Sequence, residues 1–527
     1  MRVEAAVFAL LGVLFVPFAW CSIWGGDELN FLYYAQRLAA GDVFFRDLHH
    51  HNPPLPLWLQ AAVFWAVGPS LLAARVVTGL VLAACGVWLL RLVRLLGGGP
   101  AAGVLAALGL LLGLFPAFPG WSHHWFALLA CLVGLERLIA ATEGGRLRDM
   151  AAVGALTGVA LWTTQPDGVA LALVAGATVI GGWAAGCWDA RQVGRWLAAG
   201  GLGLVAVLAP LLAVFAGQGV LAAAWHDTWV WPLRWYRQPG GFNDFLVAAD
   251  LGPLMAPLAE PWTSRLAYFA RLGRLGGLYV GVLAACAAAL AVLVALAAGA
   301  ARGRPPGPGP RRWAIVGLAT LAFTAVTVRG RADLAHVAMY APLALALVAA
   351  GTGRAAGLAL PWSARLLAWL PLGLLAAFVV AGGVGVGERI ARQPEAWLSV
   401  HTPDARLRAA PAIRWLVAHT RPEDRILALP VGGFYYFFSG RRSVAPGALY
   451  LPPQARALSP DQVETLRRSI VKGQPPVILV LPDLGTAAEV RAILRWDLPA
   501  YREVARVDTP VMGRPRPTWV FARQPGR

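Results

Sequence analysis

Lysine is nearly absent from this 527-residue chain, charged residues of both signs make up only 14%, and none of the five cysteines forms a CxxC pair. Each shortage excludes something. An ordinary soluble domain is about 25% charged and about 45–50% apolar. Here 58% of residues are apolar and the mean hydropathy is +0.60, an excess that lipid or other chains must cover. Cys21, Cys85, Cys131, Cys187 and Cys286 all fall in or beside apolar runs, so they read as small buried hydrophobes rather than a disulfide framework or zinc site. No GxGxxG follows a strand and no P-loop occurs, which leaves nothing for a dinucleotide or ATP.

A net charge of +18 would suit nucleic acid, but the arginines lie scattered in short gaps between apolar runs, with no RNA-binding motif. Such arginines orient membrane helices and touch anionic head groups. The expected partners are therefore membrane lipids and no nucleic acid. The abundance of alanine, glycine and arginine suits a GC-rich bacterial genome, hence a bacterial cytoplasmic (inner) membrane.

A bilayer core about 30 Å thick needs ~20 apolar residues per helix. That rule picks out roughly eleven spans, centred near Ala9, Leu82, Leu108, Leu129, Leu156, Val174, Val205, Leu290, Leu318, Leu345 and Leu374. The first, with one Arg and no small-residue cleavage site after it, reads as a retained span. Arg91 and Arg94, Arg146 and Arg148, Arg191 and Arg195, Arg302 to Arg312, and Arg354 each follow an even-numbered span. The short basic loops put the N-terminus in the cytoplasm and, with an odd number of spans, the C-terminus outside. Three long segments then lie on the outer face: about 24–70, about 217–274, and the tail. Trp20, Trp24, Trp58, Trp121, Trp125, Trp229, Trp231 and Trp262 fall near outer ends, where an interfacial aromatic belt would place most of them, with sugar stacking open to one or two.

In the tail the apolar runs shrink to strand length: Arg425 to Val431, Val477 to Pro482 and Thr518 to Ala522. Helical patterns at Arg406 to His419, Asp461 to Val471 and Ala487 to Trp496 alternate with them, predicting a small α/β domain. The expected architecture is an all-α polytopic membrane domain over 1–386 followed by an extracytoplasmic α/β domain over 387–527.

The strongest chemical signal is the first outer segment. Asp27 and Glu28 stand just past span one, followed by a helical pattern through Ala39, then Gly41, Asp47, His49–His50–His51 and Pro53–Pro54–Leu55. An acidic pair beside a membrane is either solvated interface or a base or metal ligand for a lipid-linked substrate. The ordered set Asp27–Glu28, Tyr34–Ala35, Gly41, Asp47 and Pro53–Pro54–Leu55 resembles the opening of GT-C glycosyltransferases, in the branch of protein O-mannosyltransferases and lipid A aminoarabinose transferases. The likeness covers the first ~220 residues by motif and the remainder mainly by topology.

The resemblance implies a GT-C transmembrane domain that moves a hexosyl or pentosyl group, with inversion, from a polyprenyl-phosphate donor to a lipid, glycan or protein acceptor. It makes Asp27 the catalytic carboxylate, with Glu28 in support. Asp47, His50, His51, His123, His124 and Gln165 become candidates for substrate binding. Two departures stand out: His51–Asn52 replaces a charged pair before the proline, and Gln165 falls where relatives frequently carry lysine. A neutral Gln165 cannot make a phosphate salt bridge, so the cation must come from elsewhere. Arg329 and Arg331 run against the positive-inside trend and stand close to Asp333 and His336, which are spaced to share a helix face. They are the candidate phosphate grip. A divalent metal on His49 to His51 remains an open alternative, since a histidine run without spaced partners is a weak ligand signal.

The rival from another class is a non-catalytic lipid or glycan transporter or flippase. Such a protein would bury charge near the bilayer midplane and show related halves; here the ionisable residues sit at span ends and no halves are visible. A degenerate transferase acting as a scaffold is the third reading.

Overall fold

The computed structural model describes residues 2–21, 27–117, 119–234, 262–330, 334–356, 362–391, 401–429, 432–445, 460–481, 501–511 and 514–524. Helix α1 (Arg2–Cys21) leads into two shorter helices, α2 (Asp27–Ala39) and α3 (Leu55–Val67). Then come α4 (Leu71–Leu95), α5 (Pro100–Leu108), α6 (His123–Gly144), α7 (Leu147–Leu161), α8 (Gln165–Ala184) and α9 (Ala190–Gly217). The short α10 (Leu221–Trp225) and α11 (Trp231–Arg234) precede α12 (Trp262–Ala301), α13 (Pro308–Gly330), α14 (Leu334–Ala356) and α15 (Trp362–Ala391). Each expected span centre falls in one of these helices; α5 continues past Leu108 as a π turn over Gly109–Leu114.

Among the described residues, six helices are by themselves long and apolar enough to cross a bilayer. Leu197, Leu202, Val205 and Leu212 along α9, and Val280, Leu283 and Leu290 along α12, point outward and exposed. So broad an apolar exterior is stable against lipid, not water. Four described cysteines are free, with Cys85 and Cys131 buried and Cys187 and Cys286 half-buried.

The two ends of the bundle differ. At one, arginines pair with carboxylates: Arg91 with Glu4 and Glu136, Arg137 with Asp149, Arg312 with Glu143. The other end carries α2, α3 and the tail. The tail runs α16 (Pro403–Arg408), α17 (Pro411–His419), β1 (Arg425–Leu429), α18 (Gly433–Ser439), β2 (Arg442–Ser443), α19 (Pro460–Gly473), β3 (Val477–Val480), β4 (Tyr501–Val511) and β5 (Arg514–Arg523). Its sheet has the order β2-β1-β3-β5-β4, with β1 parallel to β2 and β3, and β5 antiparallel to β3 and β4. The central strands β1 and β3 are the apolar runs the sequence advertised, and both are buried.

Some expectations change. The helix expected over Arg406 to His419 is two helices, because Pro411 opens α17 and the residue before a proline resists the α conformation. Strand β4 was not anticipated: its Arg502, Glu503, Arg506 and Asp508 are exposed, as suits an edge strand, and mask its periodicity. The stretch Ala487 to Trp496 lies outside the described residues, and the division at 386/387 falls within the last turns of α15. Trp121, Trp125 and Trp231 are no interfacial belt. All three are buried, because ring contacts with Phe31, Phe115 and His51 enclose them.

The tail is docked by hydrogen bonds that complete helix ends. The Asp404 carboxylate accepts from Leu71 N (2.7 Å), Leu72 N (3.0 Å) and Ser70 Oγ (3.0 Å), so a tail residue caps the membrane helix α4. On α2, Asn30 Oδ1 accepts from Gly433 N and the Tyr33 hydroxyl accepts from Ser443 N, both at 2.9 Å. A Cβ at Gly433 would lie 2.4 Å from Asn30, so only glycine allows this approach.

Candidate active site at the start of α2

Asp27 is the first residue of α2 and half-buried; Glu28, beside it, is fully buried. Glu28 meets Arg75 of α4, also buried, in a two-point pair: Arg75 Nε to Oε1 at 3.1 Å and Nη2 to Oε2 at 2.8 Å. Oε1 also accepts from Trp121 N at 3.0 Å, and Arg75 Nη1 donates to Ala19 O at 3.2 Å. One carboxylate and one guanidinium therefore tie together the end of α1, the start of α2, the body of α4 and the loop before α6. Gly120, at φ +135°, lets that loop approach; a Cβ there would stand 2.9 Å from the Glu28 carboxyl carbon.

Phe31 sits one turn after Asp27, on the same face of α2. Its ring meets His50 at 5.1 Å, His123 at 4.9 Å and Trp121 at 5.6 Å between centroids. From it a connected set of histidines extends. His50 stacks on His51 at 4.5 Å, and His51 on Trp231 at 5.2 Å. His123 touches His124 at 4.1 Å, and His124 meets His336 at 5.6 Å. Asp227 joins His49 and His226, at 3.0 Å from each Nδ1. Seven of the chain's nine histidines belong to this assembly, which draws on the first outer segment, α6, the segment after α10, and α14.

The departures from the family pattern find structural meaning here. Asn52 Nδ2 and His123 Nε2 stand 3.0 Å apart, tying the first outer segment to the start of α6. Gln165 Nε2 donates to His51 O (2.8 Å) and Thr228 O (2.6 Å), so a neutral amide fastens two loops together. Enclosed by Phe31, Tyr34 and His51, the His50 imidazole is held neutral, its pKa driven well below the usual histidine value by desolvation and then by His51. Asn52 N donates to its Nδ1.

Asp47 stands apart from this set. Its carboxylate accepts from Val43 N and pairs with Arg46, which holds it below the usual carboxylate range, so it braces its own exposed turn. Arg331 and Asp333 lie outside the described residues; Arg329 falls in the last turn of α13, with its side chain outside them as well. The only signal of Arg75 in the sequence is a lone arginine inside an apolar run. Among the described residues no three His, Cys, Asp or Glu side chains converge as a metal site.

Solved structures share this fold over the whole chain. The crystal structure of ArnT from Cupriavidus metallidurans bound to undecaprenyl phosphate is similar with a TM-score of 0.56 at 15% identity, covering 100% of this chain and 98% of that one. Its apo form gives a TM-score of 0.56 at 16% identity, covering 99% and 97%. No protein-family model matches the sequence, and no curated protein matches it either. The fold is thus the one that the ArnT structures have.

Proposed function

We propose that this chain is a membrane glycosyltransferase that moves a sugar from a polyprenyl-phosphate donor to a lipid, glycan or protein acceptor at the outer face of the bacterial inner membrane. The membrane part, 1–386, would carry the catalysis, with the N-terminus in the cytoplasm and the 387–527 domain outside. What supports the reading above all is the position of Asp27, at the head of a helix anchored through Glu28 and Arg75 and one turn before Phe31, whose ring meets His50 and His123. That ArnT binds undecaprenyl phosphate within the same fold supports the donor class.

In this mechanism Asp27 takes the proton of the acceptor hydroxyl. The freed oxygen attacks the anomeric carbon from the side opposite the phosphate, the carbon–oxygen bond to phosphate breaks, and polyprenyl phosphate leaves with inversion. Glu28 is then a positioning residue, since both its oxygens are occupied by Arg75 and Trp121 N. Gln165 positions loops rather than phosphate, and Arg329 and Arg331 are the proposed phosphate grip. A deletion strain is expected to accumulate a polyprenyl-phosphate-linked sugar, identified by mass spectrometry. Wild-type protein should clear it and Asp27→Asn should not; clearance by Asp27→Asn at the wild-type rate would sink the assignment.

A further inference from the structure

A second polar pocket, of about 390 Å³, opens between α2, the end of α3 and the tail, lined by Tyr33, Gln36, Arg37, Phe64, Trp65 and Arg441 among others. It is not the site at Asp27: Arg37 lies ten residues along α2, about 15 Å away at the helical rise. Among the described residues its charge is unbalanced. Arg37 gives Nε and Nη2 to Asp42 at 2.8 and 3.0 Å, and Arg442 Nη2 reaches the same carboxylate at 3.3 Å. Arg441 is buried and spends its donors on neutral oxygens: Nε and Nη2 on Thr420, Nη1 on Ser439 O. Among the described residues, Arg37 and Arg442 thus share one carboxylate while Arg441 has only neutral partners, and Arg425 stands beside Arg442 across the β1–β2 pair. A buried guanidinium without a counter-charge is unfavourable unless an anion completes it.

The other wall is apolar and faces outward. Trp65 is 81% exposed, and Leu59 and Val67 of the same helix are exposed too. At 13 residues, α3 is too short to span a bilayer, and an exposed indole favours the depth of the lipid head groups. Guanidiniums that recognise phosphate therefore adjoin a ring that sits where acyl chains begin.

We propose that this pocket binds the phosphodiester head group of an anionic glycerophospholipid taken from the surrounding leaflet, clamping the tail onto α2 and α3. The proposal does not depend on glycosyl transfer. The full chain is reconstituted in phosphatidylcholine nanodiscs holding a minor fraction of phosphatidylglycerol, and retained phosphatidylglycerol is counted by native mass spectrometry. Arg442→Gln, at a half-buried position beside the pocket, and Trp65→Ala, at an exposed one, are expected to lower its retention about fivefold, the scale of one basic or interfacial contact. Asp27→Asn should leave retention unchanged, so loss of the transferase reading and loss of this one are distinguishable. Equal retention by the wild type and both variants would overturn the proposal. So would inorganic phosphate raising the melting temperature as much as phosphatidylglycerol does, which would mark a site for free anions.

Discussion

Arg75 holds Glu28 through two hydrogen bonds, 3.1 Å from Nε to Oε1 and 2.8 Å from Nη2 to Oε2, with both side chains sealed from solvent. A buried pair of this kind is a poor source of net stability, but breaking it from one side strands the other charge. Its value here is geometric, because it fixes where α2 begins and so where Asp27 stands.

Arg75→Met is therefore expected to destabilise the protein by about 3–5 kcal/mol, seen as a lower melting temperature in detergent. The double variant Arg75→Met/Glu28→Met should recover most of that loss, since no unpaired charge remains. Transfer should stay low in both. A double variant no more stable than the single would contradict this account.

Gly120→Ala should be destabilising by about 1–3 kcal/mol. The cause is twofold: φ of +135° disfavours any side chain, and the added methyl would press on the Glu28 carboxyl. A melting temperature equal to wild type would show that the loop before α6 can move aside.

The His50 imidazole predicts a pH dependence. Its pKa is lowered in the folded protein from the ordinary value of 6.5. Between those two values the unfolded chain binds the proton and the folded chain does not, so stability falls as pH drops below about 6.5 and is retained above it. Melting temperatures measured from pH 8 down to about pH 5 should decline, and His50→Phe should flatten that decline. An unchanged slope in the variant would assign the effect to another histidine.

Removing the cap supplied by Asp404 tests how the tail is held. Asp404→Ala leaves the Leu71 and Leu72 amides without their acceptor, a loss of about 1–2 kcal/mol. Hydrogen exchange is expected to rise at the start of α4 and across α16, and to stay unchanged along β3.

Gln165→Ala cuts the tie between His51 O and Thr228 O. Transfer should fall about tenfold with little change in melting temperature, because positioning rather than packing is lost. Equal activity would mean that the two loops hold their places without it.

Much of the bundle was legible beforehand for a simple reason. Spanning helices must be long and apolar, so Leu82 and Val205 announced their helices without help from neighbours. The buried strands β1 and β3 were equally plain, being short apolar runs bounded by turn residues. Strand β4 was not, since its exposed charges obey the demands of an edge, not those of a core.

What the sequence determined by itself was the membrane class, the positions of the long apolar helices, and the acidic pair at the head of α2, all of which follow from local composition and order. The tertiary structure alone decided which acid of that pair is tied down and which histidines meet. Asp27 and Glu28 are neighbours of the same chemical type, but only the packing of α4 brings Arg75 to one of them. Likewise Gln165 reads locally as a lost cation, whereas in the fold its amide joins His51 O to Thr228 O across segments far apart in the chain. Contacts between distant segments depend on how helices pack, and helix packing is not encoded in any one stretch of residues.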